Sequence, residues 1–194
     1  MAAMEPRLIR VDDAPPRPWR NGGGVARDLL VLPGAAAWRC QVSVADVESD
    51  GPFSAYPGVE RWFAVLKGRG VELTVDGQTH VLTRTSAPFR FAGAAQTTCR
   101  LLDGPTRDLN LMLAGVPGTL ALAADGEPWR PEAVQCGVFT AVAGRCRSGT
   151  AAIDVPAYAL LWFDRAPAEI VFLAGQRPAG ATAWFIAVGR EASP

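Results

Sequence analysis

The sequence predicts an all-β protein, and three observations support this prediction. First, 20 Gly and 16 Pro are spread almost evenly along the 194 residues. Second, the segments between them are short, mostly about 4–8 residues, and many alternate between apolar and polar side chains, as β-strands do. Third, Gly and Pro interrupt nearly every stretch that could form a long helix. About a dozen short strands separated by turns are typical of a β-sandwich or β-barrel.

The strands can be assigned in chain order from this alternation. It is clearest where Trp38, Cys40, Val42 and Val44 alternate with polar side chains. Strands are predicted over residues 8–11, 38–47, 62–66, 71–75, 80–83, 88–91, 98–102, 109–113, 138–143, 151–155, 158–163, 170–173 and 183–188.

The turns and possible helices complete the assignment. Asp76 and Gly77 form the dipeptide most typical of a β-hairpin, and residues 67–70 (KGRG) form a second turn. Residues 114–126 and 128–136 could form short helices. The length fits two stacked β units, which we expect over residues 1–115 and 116–194.

Composition excludes several classes of function. Nineteen Lys and Arg balance 19 Asp and Glu, so the formal net charge is zero. General binding of nucleic acids or membrane surfaces requires a basic excess, and we expect neither. The first ten residues contain Glu5 and no apolar run, which argues against a signal peptide. The four Cys form no C-x-x-C pair and are expected to be buried apolar side chains. These features predict a cytoplasmic protein.

Residues 62–77 (WFAVLKGRGVELTVDG) resemble the first conserved motif of the cupins. In metal-binding cupins, two His and one Glu precede this hairpin. The Glu position falls here on Arg61, and the His positions fall on Ala55 and Pro57 or on Ser54 and Tyr56. None of these is a usual ligand of a first-row metal, and the single histidine, His80, has no His partner. We therefore expect no metal and no other cofactor.

Four longer segments resemble the HutD/Ves family. They are residues 18–29 (PWRNGGGVARDL), 38–47 (WRCQVSVADV), 50–61 (DGPFSAYPGVER) and 101–112 (LLDGPTRDLNLM). The last segment matches the pattern DGP-x-x-D-x-N-x-M. The departures are small: Ala26 stands where the family usually has Thr, and Asp28 where it usually has Glu.

This resemblance implies a fold and a range of functions. The expected fold is a cupin-type double-stranded β-helix, or jelly-roll barrel, arranged as a compact bicupin with few short helices. Many members of the family are encoded in histidine-utilisation operons. No enzymatic activity is established for the family, and the usual suggestion is a regulatory or ligand-sensing role.

The glycine-rich segment at residues 21–24 has two interpretations. It is either a flexible turn or a loop whose backbone N–H groups approach a ligand closely. The family resemblance favours the second interpretation. The candidate ligand-binding residues in this region are Arg20, Asn21, Gly22, Gly23 and Arg27.

Three further candidates lie on predicted strands. Arg61 could pair with Glu60 or Glu72 on a partly exposed strand, but its place at the vacated ligand position favours binding of an anion. Asp108 and Asn110 share one strand face, which forms a polar cavity wall if it faces the interior and has no functional meaning if it faces solvent.

Three functions remain open at this point. The first is a metal-free cupin that binds a small anionic carboxylate, such as formylglutamate or urocanate, and modulates histidine utilisation. The second is an isomerase or hydrolase with Asp108 or Glu60 as general base. The third is a regulatory protein that acts through a partner. We favour the first, without catalysis, and take a homodimer as the default oligomeric state.

Overall fold

The computed structural model describes residues 5–19, 22–176 and 179–190. These residues form 19 β-strands, numbered below in chain order, and two short 3-10 turns at Val11–Asp13 and Ala35–Ala37. They contain no α-helix. Every strand pairing is antiparallel. The all-β prediction is confirmed.

The N-terminal unit, defined here as residues 15–115, contains two sheets. The spatial order of its six-stranded sheet is β2 (Pro16–Pro18), β3 (Gly24–Leu32), β4 (Cys40–Val47), β11 (Thr106–Ala114), β6 (Val59–Lys67) and β9 (Phe89–Ala92). The order of its four-stranded sheet is β5 (Gly51–Pro52), β10 (Thr97–Leu101), β7 (Val71–Val75) and β8 (Gln78–Leu82). One apolar cluster joins the two sheets: it includes Phe63 and Val65 of β6 with Leu73 of β7 and Cys99 of β10.

The C-terminal unit, defined here as residues 1–14 and 116–194, repeats this architecture. The order of its five-stranded sheet is β1 (Arg7–Arg10), β17 (Ala159–Phe163), β14 (Gln135–Thr140), β19 (Ala183–Val188) and β12 (Gly118–Leu122). The order of its four-stranded sheet is β13 (Pro128–Trp129), β18 (Ile170–Ala174), β15 (Gly144–Ser148) and β16 (Ala151–Val155). Val138, Leu161, Phe172 and Phe185 belong to the core between the two sheets.

The structure differs from the sequence prediction in the placement of the N-terminus. Residues 1–14 were expected in the first unit, but β1 pairs with β17, with Leu8 opposite Leu161. β1 therefore belongs to the C-terminal unit, because its backbone hydrogen bonds are made to β17.

The structure also corrects the expected helices. Residues 118–122 form β12, and residues 128–129 and 135–136 belong to β13 and β14, so neither short helix exists. Both segments contain Gly or Pro, and the pairing of β12 with β19 satisfies the backbone that a helix would otherwise satisfy internally. Four further strands, β2, β3, β5 and β15, were not predicted.

The turn at residues 67–70 provides a stability test. Gly70 has φ +117°, and a Cβ there would lie 2.4 Å from the carbonyl oxygen of Leu82. Gly70→Ala is expected to lower the free energy of unfolding by more than about 2 kcal/mol, because both backbone strain and overlap oppose it. Gly77→Ala is the matched control: its φ is +82°, but a Cβ there meets no atom within 4 Å. It should cost about 1 kcal/mol. Urea unfolding measures both, and equal costs would contradict the steric argument.

Candidate functional site

The N-terminal unit contains a cavity of about 660 Å³. Its walls are the inner face of the six-stranded sheet and the segment of residues 52–56, which begins at the end of β5. Residues two apart on one strand share this wall because side chains alternate between the two faces. The central strands contribute Gln41, Ser43 and Ala45 from β4, Asn110 and Met112 from β11, and Arg61 and Phe63 from β6.

Arg61 is the charged side chain buried in this wall, with 8% of its surface exposed. Its guanidinium carbon lies 5.1 Å from the ring centre of Phe53, 5.8 Å from that of Tyr56 and 5.0 Å from that of Phe91. Its Nη1 donates a hydrogen bond to the carbonyl oxygen of Ser54 at 3.3 Å. Its Nε is buried with no hydrogen-bond partner. The cation is therefore enclosed by aromatic rings and only partly satisfied.

The acidic partners considered for Arg61 are engaged elsewhere. Glu60 accepts a hydrogen bond from Nε of Arg90 at 2.7 Å, and Glu72 accepts one from Nε of Arg100 at 2.8 Å. Within the described part of the chain, no carboxylate lies at ion-pair distance from Arg61. Burial lowers the pKa of Arg61 to about 10, while Tyr56 acts in the opposite direction. An enclosed cation without a carboxylate partner among the described residues has the charge and the free donor that an anion would require.

A second polar group lies at the cavity edge. Arg17 of β2 forms an ion pair with Asp28 of β3, with Nη2 and Oδ2 3.0 Å apart. Gln41 donates from Nε2 to Oδ1 of the same carboxylate at 2.7 Å. Arg17 and Gln41 line the cavity, and neither was predicted from the sequence. The alternation of residues 38–47 separates two strand faces, but it does not say which face is enclosed.

Asn110 lies in the wall, as predicted for a strand face that points inward. Its Cα pairs with those of Ser43 on β4 and Phe63 on β6. Asn110 is 8% exposed and Ser43 is 7% exposed, and both line the cavity. Neither side chain hydrogen-bonds to another described residue. The wall therefore offers two neutral hydrogen-bonding groups to a bound molecule.

Asp108 shares the inward face of β11, but it is fully buried and is not among the residues that line the cavity. Its Oδ2 accepts a hydrogen bond from Oγ1 of Thr106 at 2.7 Å, and its Oδ1 has no partner. Burial raises the pKa of this carboxyl well above its ordinary value. The Thr106 hydrogen bond opposes this shift, whereas the charge of Asp46 adds to it. Burial therefore favours the neutral form of this carboxyl over the charged form.

Arg27 does not line the cavity, although its neighbour Ala26 does. Its Nη1 lies 2.8 Å from Oδ2 of Asp46, and Arg107 lies 2.6 Å from Oδ1 of the same carboxylate. Burial tends to raise the pKa of Asp46, but the two guanidinium groups outweigh it and hold the pKa below its ordinary value. The alternation of β3 therefore places Arg27 in an ion-pair group instead of the cavity.

Gly22 and Gly23, the described glycines of this loop predicted to bind a ligand, are not among the residues that line the cavity. Gly22 donates its N–H to the carbonyl oxygen of Trp19 at 3.1 Å, which is the bond of a tight turn, and the carbonyl oxygen of Gly23 accepts from the distant Glu48 N–H at 3.0 Å. The ligand contacts predicted for Gly22 and Gly23 stay predictions. Arg20 and Asn21 lie outside the described residues.

The described residues contain no group of three His, Cys, Asp or Glu able to hold a metal ion. The ring of His80 packs against Phe89 with centres 4.3 Å apart. All four Cys are buried and free, as predicted. Burial raises the pKa of each thiol to about 12, so none is a nucleophile at neutral pH. A search of the described residues finds no helix long and apolar enough to span a bilayer.

Comparisons with known proteins identify the family of this chain. The model of the HutD family matches residues 11–154, more than half of the chain. The chain belongs to the HutD family. Among curated relatives, an uncharacterised 21.2 kDa protein in the hutC 3' region of Pseudomonas putida is 39% identical over 112 residues, covering 56% of this chain and 58% of that protein. Protein Ves of Citrobacter koseri is 40% identical over 99 residues, covering 48% and 50%. The chain thus spans little more than half the length of these relatives.

Solved structures extend the likeness to most of the chain. HutD from Pseudomonas fluorescens SBW25, in a structure described as a formate condition, has a TM-score of 0.80 and 26% identity, covering 95% of this chain and 98% of that one. A conserved protein of unknown function from Pseudomonas aeruginosa has a TM-score of 0.84 and 26% identity, covering 96% and 100%. A cupin-barrel protein from Leptotrichia buccalis has a TM-score of 0.55 and 9% identity, covering 96% of each chain, which shows the fold alone. The cupin fold predicted from the sequence is confirmed.

Proposed function

We propose that this HutD-family cupin binds a small carboxylate without a metal and modulates histidine utilisation without catalysis. One observation carries the proposal: the guanidinium of Arg61 is buried in a cavity wall, with Nε unpartnered and no carboxylate at ion-pair distance among the described residues. A ligand carboxylate would supply the missing charge and accept from Nε and a terminal nitrogen in the two-point geometry that guanidinium favours.

Two names of related proteins connect the proposal with histidine catabolism. One relative is named for its place in the hutC 3' region, and one solved structure of similar fold is HutD of Pseudomonas fluorescens. Histidine breakdown proceeds through larger carboxylic acids, among them urocanate and formylglutamate, and a cavity of about 660 Å³ has room for either.

The proposal assigns one role to each predicted residue that the structure describes on a strand. Arg61 would bind the carboxylate, and Asn110 would orient the remainder of the ligand. Asp108 would act beneath the wall, where its neutral form places no negative charge near the anion. Arg27 would act through its ion pair with Asp46, which stabilises the β3–β4 edge of the cavity.

A thermal-shift and calorimetry panel tests the proposal. The probes are urocanate, formylglutamate, glutamate, unrelated dicarboxylates and divalent metals. An acid at 100 times its Kd adds about 2.7 kcal/mol, which raises Tm by about 5–10 °C for a chain of this size. We expect the shift with at least one pathway acid, its loss in Arg61→Ala, and its retention in Arg90→Ala, a matched control at an exposed ion pair.

The panel also separates the alternatives. A shift with a metal and none with acids would overturn the metal-free interpretation. A shift with nothing would favour a protein partner or a second copy of the chain. Conversion of a bound acid, followed by NMR and lost in Asp108→Asn, would favour an isomerase or hydrolase; the raised pKa of Asp108 is the observation in favour of that second candidate.

A further inference from the structure

We propose that the cavity selects a flat, singly charged heteroaromatic acid over a dicarboxylate. This inference rests on the proposed function of the same site and specifies the class of ligand. It follows from three properties of the wall: its charge, its aromatic surface and its neutral polar groups.

Among the described lining residues, the charge matches one carboxylate. Two of the described lining residues are charged, Arg17 and Arg61. Arg17 already has Asp28 as its counter-ion, whereas Arg61 has none among the described residues. A second ligand carboxylate would have to displace Asp28 or lie beside it, and two carboxylates in one site repel each other strongly. A monoanion avoids this cost.

The apolar part of the wall is mainly aromatic. Trp19, Trp38, Phe53, Tyr56 and Phe63 all line the cavity. The rings of Trp19 and Phe53 are 6.0 Å apart edge to face, and those of Phe53 and Phe63 are 5.9 Å apart. Such rings gain more from contact with a flat unsaturated body than from a flexible saturated chain, which also loses more conformational freedom on binding.

The neutral hydrogen-bonding side chains, Asn110 and Ser43, lie two residues along the strands from the level of Arg61. Arg61 is opposite Met112 across the β6–β11 ladder, whereas Asn110 is two residues further along β11 and opposite Ser43. Two residues of a strand span about 7 Å, and adjacent strands lie about 4.8 Å apart. A ligand with its carboxylate at Arg61 therefore places its other end near Asn110 and Ser43. These side chains donate and accept hydrogen bonds, as a ring containing N and N–H requires.

Calorimetry at pH 8 tests the inference with four probes. These are imidazole-4-acrylate (urocanate), its phenyl analogue cinnamate, and the two dicarboxylates glutarate and N-formylglutamate. Imidazole has a pKa of about 6.5, so imidazole-4-acrylate is a monoanion at this pH. We expect it to bind at least about tenfold more tightly than either dicarboxylate. It should also bind about fivefold to tenfold more tightly than cinnamate. This difference in affinity corresponds to the contribution of one or two neutral hydrogen bonds.

Asn110→Leu separates the hydrogen bonds from the remaining contacts. It should lower the affinity for imidazole-4-acrylate to the level of cinnamate while changing that of cinnamate by less than about twofold. Ser43→Ala is the second variant if Asn110→Leu does not fold. If dicarboxylates bind more tightly, or if both variants keep the heteroaromatic advantage, the inference is wrong while carboxylate binding stands. If none of the acids binds the wild-type protein, the proposed function fails and the inference fails with it.

Discussion

Arg61→Met is expected to weaken acid binding by about 100-fold or more and to stabilise the ligand-free protein. Loss of binding follows because removing one partner of a buried charge pair typically costs about 2–5 kcal/mol. Stabilisation follows because the ligand-free protein no longer keeps an unpaired cation in its interior. The two effects together distinguish a binding residue from one retained for packing.

The expected stabilisation is a balance of opposing contributions. Burial lowers the pKa of Arg61 from its ordinary value to about 10, which corresponds to roughly 3 kcal/mol against the charged form. Cation–π contacts with three rings recover part of this, about 0.5–1 kcal/mol each. Methionine has a similar length and keeps sulfur–aromatic contacts. We expect a net gain of up to about 1.5 kcal/mol and a rise in Tm of up to about 6 °C.

Calorimetry and thermal unfolding measure the two effects, with Arg90→Met as the control. Arg90 lies on β9, its side chain is 62% exposed, and it pairs with Glu60. Its replacement should change stability by less than about 1 kcal/mol and leave binding unaltered. A strongly destabilised Arg61→Met that still bound the acid would show that the guanidinium stabilises the fold and does not bind the ligand.

Asp108→Asn is expected to become more stable than the wild-type protein as pH rises. The pKa of Asp108 is raised in the folded protein, so the folded state retains a proton that the unfolded chain releases above about pH 3.9. The wild-type contribution is complete below that pH and is lost progressively up to the folded pKa. Asparagine has nearly the same shape, can still accept from Thr106 and does not titrate.

The measurement is the free energy of unfolding in urea at several values between pH 4.5 and 7.5. Within the window, the difference between Asp108→Asn and wild type should grow by about 1.4 kcal/mol for each pH unit. Asp103→Asn is the control, because that side chain is 79% exposed and its nearest guanidinium nitrogen is 3.8 Å away. A flat difference for Asp108→Asn would show that the buried carboxyl is ionised and has a counter-charge.

Two of the strands that the sequence did not reveal, β3 and β15, show the limit of pattern analysis. In β3, the pairing with β4 shifts register between Asp28 and Leu30, so the alternation of side chains breaks within the strand. In β15, the sequence GRCRS has one apolar side chain, Cys146, and no apolar period. Both strands form because neighbouring strands provide hydrogen-bond partners, which local sequence does not report.

The sequence by itself determined the all-β class and the hairpin turns, because side-chain alternation and turn-forming residues act over short stretches of chain. Its length fitted two β units, and its motifs indicated the family. It also singled out Arg61, through its place in a motif. Only the tertiary structure decided what surrounds that residue. Phe53 and Tyr56 come from the segment of residues 52–56, whereas Phe91 comes from β9. Arg27 and Arg61 differ because one strand face is enclosed and the other is not. Burial and pairing across a barrel depend on long-range register, and they decide which arginine of the described residues is buried with no carboxylate at ion-pair distance.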